Sequence, residues 1–95
     1  MKALDWSDRP CTDFDTIDPA RSIAILPTAA IEQHGPHLPV GTDTLIMAGM
    51  LNAFRAACPD DIAPWILPIQ TVGKSNEHLW AKGTLTLPAT TALTA

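Results

Sequence analysis

Two short apolar runs, separated by a helical pattern, dominate the distribution of hydrophobic residues along the chain. Residues 22–27 form the first run and residues 62–72 contain the second, and runs of this kind are typical of buried strands. Between them, apolar residues recur at the spacing of a helix of about 14 residues, which Cys58-Pro59 ends because the residue before a proline leaves the helical region. The residues of this stripe are Ile46, Gly49, Met50, Ala53, Phe54 and Ala57. This order predicts a βαβ unit with parallel strands and a right-handed crossover.

The segments outside this unit are less regular. Pro64 and Pro68 each remove a backbone donor, so we expect the second strand to be short and near an edge or bulge. Pro88 is placed to start another helix. A single βαβ unit leaves a sheet edge bare, so we expect residues 22–95 to be the N-terminal part of a larger α/β domain. Residues 1–21 are expected to be an acidic, mostly irregular lead-in. Its expected apolar anchors are Trp6, Phe14 and Ile17.

Composition and charge exclude several classes of function. The net charge of −4 and the six scattered Lys and Arg residues provide no basic surface for nucleic acid or an anionic membrane. No run approaches the roughly 18–20 apolar residues that a membrane-spanning helix needs. Cys11 and Cys58 lack CxxC spacing, and the N-terminus lacks the apolar core of a signal peptide. We therefore expect a cytoplasmic protein with reduced thiols.

Two polar loops follow the two predicted strands and contain every Glu and His of the chain. The first loop has Glu32, His34 and His37, and the second has Glu77 and His78. If the strands are parallel, both loops leave the same edge of the sheet, where ligands bind in open α/β sheets. Carboxylate and imidazole are ligands that suit Zn, Mn or Fe. The sequence therefore predicts a shared cleft with a divalent metal.

Each of these residues also has a simpler explanation. Asp43, at the start of the predicted helix, is in a position where it can simply be the N-cap, with no role toward metal. Glu32 and His34 can brace the loop by bonding backbone donors, and His37, flanked by prolines on its loop, can do the same. His78 precedes Leu79-Trp80 and can be half-buried packing.

Two motifs in the loops resemble those of a known family. Residues 32–43 read E-Q-H-G-P-H-L-P-V-G-T-D, which resembles the signature P-x-G-x-x-E-Q-H-G-P-H-L-P-x-x-x-D of the creatininase family. Residues 73–78 match a second family stretch, G-x-S-x-E-H, and G-T-L follows at 83–85. The resemblance covers roughly residues 20–95. This chain departs from many members by having Thr28-Ala29-Ala30 where they have Gly-Ser.

The resemblance implies a three-layer α/β/α fold with a mainly parallel sheet, and a two-metal centre that hydrolyses amide C–N bonds. Carried over, it makes Glu32 a ligand of one metal, His34 a ligand of the other, and Asp43 the carboxylate that bridges both. Zn or Mn is expected, and Fe suits the same ligands. The resemblance places three residues on the substrate side: Ser75, Glu77 and His78. The family's remaining ligands, a later His and Glu, and its later catalytic His have no counterpart here, so no catalytic residue is assigned.

Two classes of function compete. The first is a metal-dependent amidohydrolase of the creatininase family, acting on a non-peptide or cyclic amide of a small-molecule substrate, with the chain as its truncated N-terminal portion. We expect such a domain, when complete, to form a homo-oligomer. The second is a truncated or decayed chain that keeps the metal loop as a scaffold without turnover. A dinucleotide-binding βαβ unit is disfavoured, because the first strand-to-helix turn lacks GxGxxG.

Overall fold

The computed structural model describes residues 3–94, and side chains up to residue 92. Within this range the chain forms three short strands and two α-helices. They are β1 Leu4–Asp5, β2 Ser22–Ile25, α1 Thr42–Ala57, β3 Ala63–Ile66 and α2 Ala89–Thr94. The chain divides into two compact units, the first comprising the segment up to Pro27 and Met50–Pro68, and the second comprising Thr28–Gly49 and the segment from Ile69 onward.

The first unit contains a parallel sheet in the order β1-β3-β2. This arrangement of parallel strands and helices confirms the predicted α/β class, and the β2-α1-β3 order confirms the predicted strand–helix–strand sequence. All four residues of β3 are buried, as expected for the central strand of a sheet. Trp65 is aligned with Leu4 of β1 on one side and with Ala24 of β2 on the other.

The position of β3 corrects the expectation of an edge strand or bulge. Ala63 and Leu67 donate their backbone N–H groups to Arg21 and Ile25, at 2.9 and 2.8 Å. Because alternate residues of a parallel strand face alternate neighbours, Pro64 directs its missing donor toward the β1 side. Among residues 3–94 the pairing with β1 begins at Trp65, so the proline removes no ladder hydrogen bond to the strand Leu4–Asp5.

The N-terminal segment is more ordered than its composition predicts. It contains β1 and two 3₁₀ helices, Trp6–Asp8 and Cys11–Thr16. Ring centroids of Trp6 and Phe14 lie 5.8 and 5.1 Å from that of Trp65, so these two predicted anchors do pack onto the sheet. The Arg55 guanidinium also lies 2.6 Å from the Asp5 carboxylate.

Helix α1 ends at Ala57, directly before the predicted Cys58-Pro59 stop. The apolar stripe predicted the helix but not the residue that it buries. Leu51, outside the stripe, is buried, whereas Ile46 and Met50 are 56% and 61% exposed. No helix among residues 3–94 is long and apolar enough to cross a membrane.

The second unit is built largely from the two polar loops, which comprise residues 28–41 and 69–88 of this unit. Ala29 donates to the carbonyl of Gln70 at 2.9 Å, and Leu85 donates to the carbonyl of Ile31 at 2.8 Å. A Cβ atom on Gly73 would lie 3.1 Å from the carbonyl oxygen of Ala29, so a residue without a side chain allows this close approach. The two loops are therefore joined along their lengths by backbone contacts.

Candidate metal centre

Three predicted ligands come together in the second unit. Glu32 and His34 lie on one loop, which turns at Gly35, whose φ is 78°. The Glu32 N–H closes this loop by donating to the carbonyl of Val40 at 3.1 Å. Asp43 follows in the first turn of α1. One ligand atom from each of Glu32, His34 and Asp43 lies within 4.8 Å of the others. The local fold thus brings a carboxylate, an imidazole and a second carboxylate to one point.

The contact between His34 and Asp43 is short but is not a hydrogen bond. The imidazole Nε2 lies 3.3 Å from the Asp43 Oδ1 atom, with the two side chains 24% and 33% exposed. This nitrogen is nevertheless buried and has no hydrogen-bond partner. Two ligands at 2.0–2.2 Å from one tetrahedral ion stand about 3.4 Å apart, so the spacing matches that of ligands around a shared cation.

A second group of side chains adjoins the first and shares Glu32 with it. Ligand atoms of Glu32, Glu77 and His78 also lie within 4.8 Å of one another. The His78 Nε2 atom is 3.8 Å from Glu32 Oε2, and the two side chains are 29% and 17% exposed. Both loops follow parallel strands, as the convergence argument requires. Four of the five loop Glu and His residues thus meet, and His37 is exposed and belongs to neither group.

Gln33 was not singled out from the sequence, yet it connects the two loops. Its side-chain oxygen accepts the Gly35 N–H at 2.9 Å, and its side-chain nitrogen lies 3.0 Å from His78 Nδ1. Its backbone N–H donates to the Thr84 hydroxyl at 3.2 Å. The only available signal was its position between Glu32 and His34, because an amide is not a typical metal ligand.

Ser75 has an unusual environment for a hydroxyl. It is 0% exposed, and its Oγ is buried without a hydrogen-bond partner. Its backbone N–H donates to the Thr86 hydroxyl at 2.8 Å. Glu77, two residues later, is exposed. The assignment of Ser75, Glu77 and His78 to the substrate side stays a prediction.

A cavity in the first unit is separate from this chemistry. It has a volume of about 270 Å³ and is lined by residues that include Arg9, Asp13, Arg21 and Trp65. None of the Glu and His residues of the two loops lines it. This cavity is therefore not part of the candidate site.

Comparison with known proteins gives a consistent result. Residues 7–95 match the Creatininase family, described as creatinine amidohydrolase. A relative from Mycolicibacterium smegmatis, named mycofactocin precursor peptide peptidase, is 36% identical over 67 residues, covering 68% of this chain and 27% of that protein. A protein of the same name from Mycobacterium tuberculosis is 36% identical over 76 residues, covering 74% and 30%. The chain thus spans less than a third of the length of these relatives.

Proposed function

The chain belongs to the creatininase family, and from this premise we propose that it supplies the first ligands of a divalent metal centre in an amide-hydrolysing enzyme. Glu32, His34 and Asp43 are the proposed ligands. The observation that carries the proposal is the buried Nε2 of His34, which has no hydrogen-bond partner and lies 3.3 Å from the Asp43 carboxylate. A buried polar atom without a partner is costly, so a bound cation gives it a function.

The donor set fits Zn or Mn, with Fe as a further candidate, because it combines two carboxylates with one imidazole. We propose the two-metal arrangement, with Glu32 on one ion, His34 on the other, and Asp43 shared between them. The three ligand atoms lie within 4.8 Å of one another, which supports a compact arrangement of this kind. Metal ions bound here would polarise an amide carbonyl and acidify a water molecule.

The residues of this chain have separate tasks in that proposal. The closed loop from Glu32 to Val40 sets the position of the first carboxylate, and the start of α1 sets that of Asp43. Glu77 is exposed beside Glu32 and is proposed to face the substrate. Ser75 is fully buried, so its assignment to the substrate side rests on the family resemblance alone. The substrate-side residues therefore come from the second loop and the metal ligands from the first loop and the helix start.

The proposed reaction is hydrolysis of an amide C–N bond. The relatives' names specify a precursor peptide, which favours a peptide amide as the substrate to test first. A non-peptide or cyclic amide, the substrate predicted from the sequence, is tested beside it. The protein that carries this sequence should be assayed on a mycofactocin precursor peptide and on creatinine, with and without a chelator. Chelator-sensitive release of product supports the proposal, and its absence on every amide favours the non-catalytic scaffold.

Metal binding is tested separately from turnover. ZnCl₂ and MnCl₂ should be titrated calorimetrically into the metal-free 95-residue chain and into two variants of the same loop. His34→Asn should weaken binding strongly, because it removes the imidazole nitrogen beside Asp43. His37→Asn is the matched control, since His37 is an exposed histidine outside both groups. Equal binding by the two variants would overturn the assignment of His34.

A further inference from the structure

We propose that Gln33 sets the tautomer of His78, so that His78 presents an N–H to the Glu32 carboxylate and acts as a positioning residue. This inference rests on the proposed function for one point only, the role of Glu32 as a metal ligand. His78 would then support that ligand through a hydrogen bond instead of binding metal itself. Two side-chain contacts support this inference, one between Gln33 and Gly35 and one between Gln33 and His78.

The contact with Gly35 determines the orientation of the Gln33 amide. Its Oε1 atom lies 2.9 Å from the backbone nitrogen of Gly35. A backbone N–H can only donate, so the atom that faces it must be the side-chain oxygen. The side-chain NH₂ group of Gln33 is therefore the one that faces His78, at 3.0 Å from Nδ1.

The contact with Gln33 determines the tautomer of His78. The NH₂ group of Gln33 donates, so Nδ1 must accept with its lone pair. A neutral imidazole has one N–H, which is then on Nε2. That nitrogen lies 3.8 Å from Glu32 Oε2, which is longer than a hydrogen bond, so a small shift of either side chain brings the N–H into hydrogen-bonding distance.

This tautomer distinguishes between two roles for His78, that of a metal ligand and that of a residue that positions Glu32. A protonated Nε2 has no lone pair to offer, so it cannot bind a cation beside Glu32 and Glu77 while the contact with Gln33 persists. His34 differs, because its Nε2 is buried without any hydrogen-bond partner. Outer residues that orient a ligand commonly contribute 10–100-fold, as an order of magnitude, to metal affinity.

The restraint on Gln33 itself comes from two sides. Its backbone N–H donates to Thr84 Oγ1 at 3.2 Å, and its side chain spans from Gly35 to His78. His78 and Thr84 lie 45 and 51 positions from Gln33 in the chain. The amide thus holds the two loops together and leaves its NH₂ group no alternative partner among these contacts.

The tautomer can be measured without any metal. Long-range ¹⁵N–¹H spectra of the metal-free 95-residue chain distinguish Nδ1–H from Nε2–H rings, recorded with rising pH until the spectrum stops changing. We expect the Nε2–H form for His78. Gln33→Glu keeps the shape of the side chain and an oxygen for Gly35, but replaces the donor with an acceptor. It should shift His78 to the Nδ1–H form and leave His37 unchanged. An unaltered His78 spectrum, or an Nδ1–H ring in the original chain, would overturn the proposal.

The role toward metal is measured by a pair of substitutions at one position. His78→Gln places an amide NH₂ near the position of Nε2, whereas His78→Asn places it near that of Nδ1. We expect zinc affinity to stay close to the original in His78→Gln and to fall about 10-fold in His78→Asn. A metal ligand would give a large loss in both variants, which would overturn the positioning role. If the unaltered chain binds no zinc, the proposed function fails, and the tautomer measurement alone decides this inference.

Discussion

The two polar loops of the second unit each contain a histidine close to a carboxylate, but the two histidine rings have different partners. The first loop leaves the His34 imidazole with a buried nitrogen that has no partner. In the second loop, the Ser75 backbone donates to Thr86, and the His78 ring contacts both Gln33 and Glu32. The His34 ring thus has a buried nitrogen without a hydrogen-bond partner, whereas the His78 ring is held by Gln33; in the second loop the buried polar atom without a partner is the Ser75 hydroxyl.

The two histidines show that burial alone does not separate these roles. Their side chains are 24% and 29% exposed, which is nearly equal. What differs is the set of partners around each ring. His34 Nε2 lies 3.3 Å from a carboxylate without a hydrogen bond, whereas His78 Nδ1 has an amide donor at 3.0 Å. An unmade hydrogen bond of a buried group costs about 1–3 kcal/mol, so the organisation around His34 is informative about function.

The first prediction removes a proposed metal ligand from the group of Glu32, His34 and Asp43. Asp43→Asn keeps the size of the side chain but removes its charge and one of its carboxylate oxygens. We expect zinc affinity to fall by more than about 100-fold, beyond the usual range for outer residues. Titration calorimetry of the 95-residue chain measures this. Asp15→Asn, at an exposed position of the 3₁₀ helix Cys11–Thr16 in the first unit, should bind zinc like the original chain. A loss below tenfold in Asp43→Asn would remove the distinction between the loops.

The second prediction concerns the turn at Gly83 in the second loop. Gly83 has a φ of 90°, and an added Cβ would lie 3.1 Å from Val40 Cγ1. Gly83→Ala should lower the free energy of unfolding by about 1–2 kcal/mol, because residues with a Cβ avoid this backbone conformation. Gly49→Ala, on an exposed position of α1 with open space around it, should raise it by about 0.5–1 kcal/mol. Denaturant unfolding measures both, and equal changes of the same sign would contradict the strain at Gly83.

The third prediction concerns the hydroxyl that contacts Gln33. Thr84→Val removes the oxygen that accepts the Gln33 backbone N–H at 3.2 Å. We expect a loss of about 1 kcal/mol in unfolding free energy, as for one part-buried hydrogen bond. Thr12→Val, on an exposed 3₁₀ helix, should change it by less than about 0.5 kcal/mol. If the two variants unfold alike, the bond between Thr84 and Gln33 does not brace the loops.

The fold was predictable where the chain has local patterns. The apolar run at β2 and the helical spacing of α1 are local signals, and Cys58-Pro59 marks the end of the helix. Strand β1 has only two residues and forms by pairing with β3, about 60 positions away in the chain. No periodicity can reveal a strand of that length. The buried position of Leu51 also depends on tertiary packing, which the helical stripe does not encode.

The candidate site was predictable by residue type but not by contact. Carboxylate and imidazole side chains are recognisable as ligands, and Glu32, His34 and Asp43 do come together. Gln33 and Thr84 have ordinary polar side chains, and their contacts join segments that are far apart in sequence. Their supporting roles become visible only when the donors and acceptors are placed in space. The sequence therefore predicted the candidate donor atoms, and the structure shows which residues hold them in place.

The smallest predicted effect concerns Glu77, which lies within ligand distance of Glu32 and His78 but is exposed. If His78 presents an N–H, this second group does not bind a cation, and Glu77→Gln removes only a nearby solvent-exposed charge. Ligand atoms of Glu77 and Glu32 lie within 4.8 Å of each other, so an ion about 2 Å beyond Glu32 is up to about 7 Å from Glu77. At that distance a unit charge attracts a divalent ion by about 1 kcal/mol in water, which corresponds to about a fivefold loss of zinc affinity. The loss should shrink further when the titration is repeated at high salt, because exposed charges are screened. A loss near that of Asp43→Asn, unaffected by salt, would instead make Glu77 a ligand and would assign metal binding to both loops.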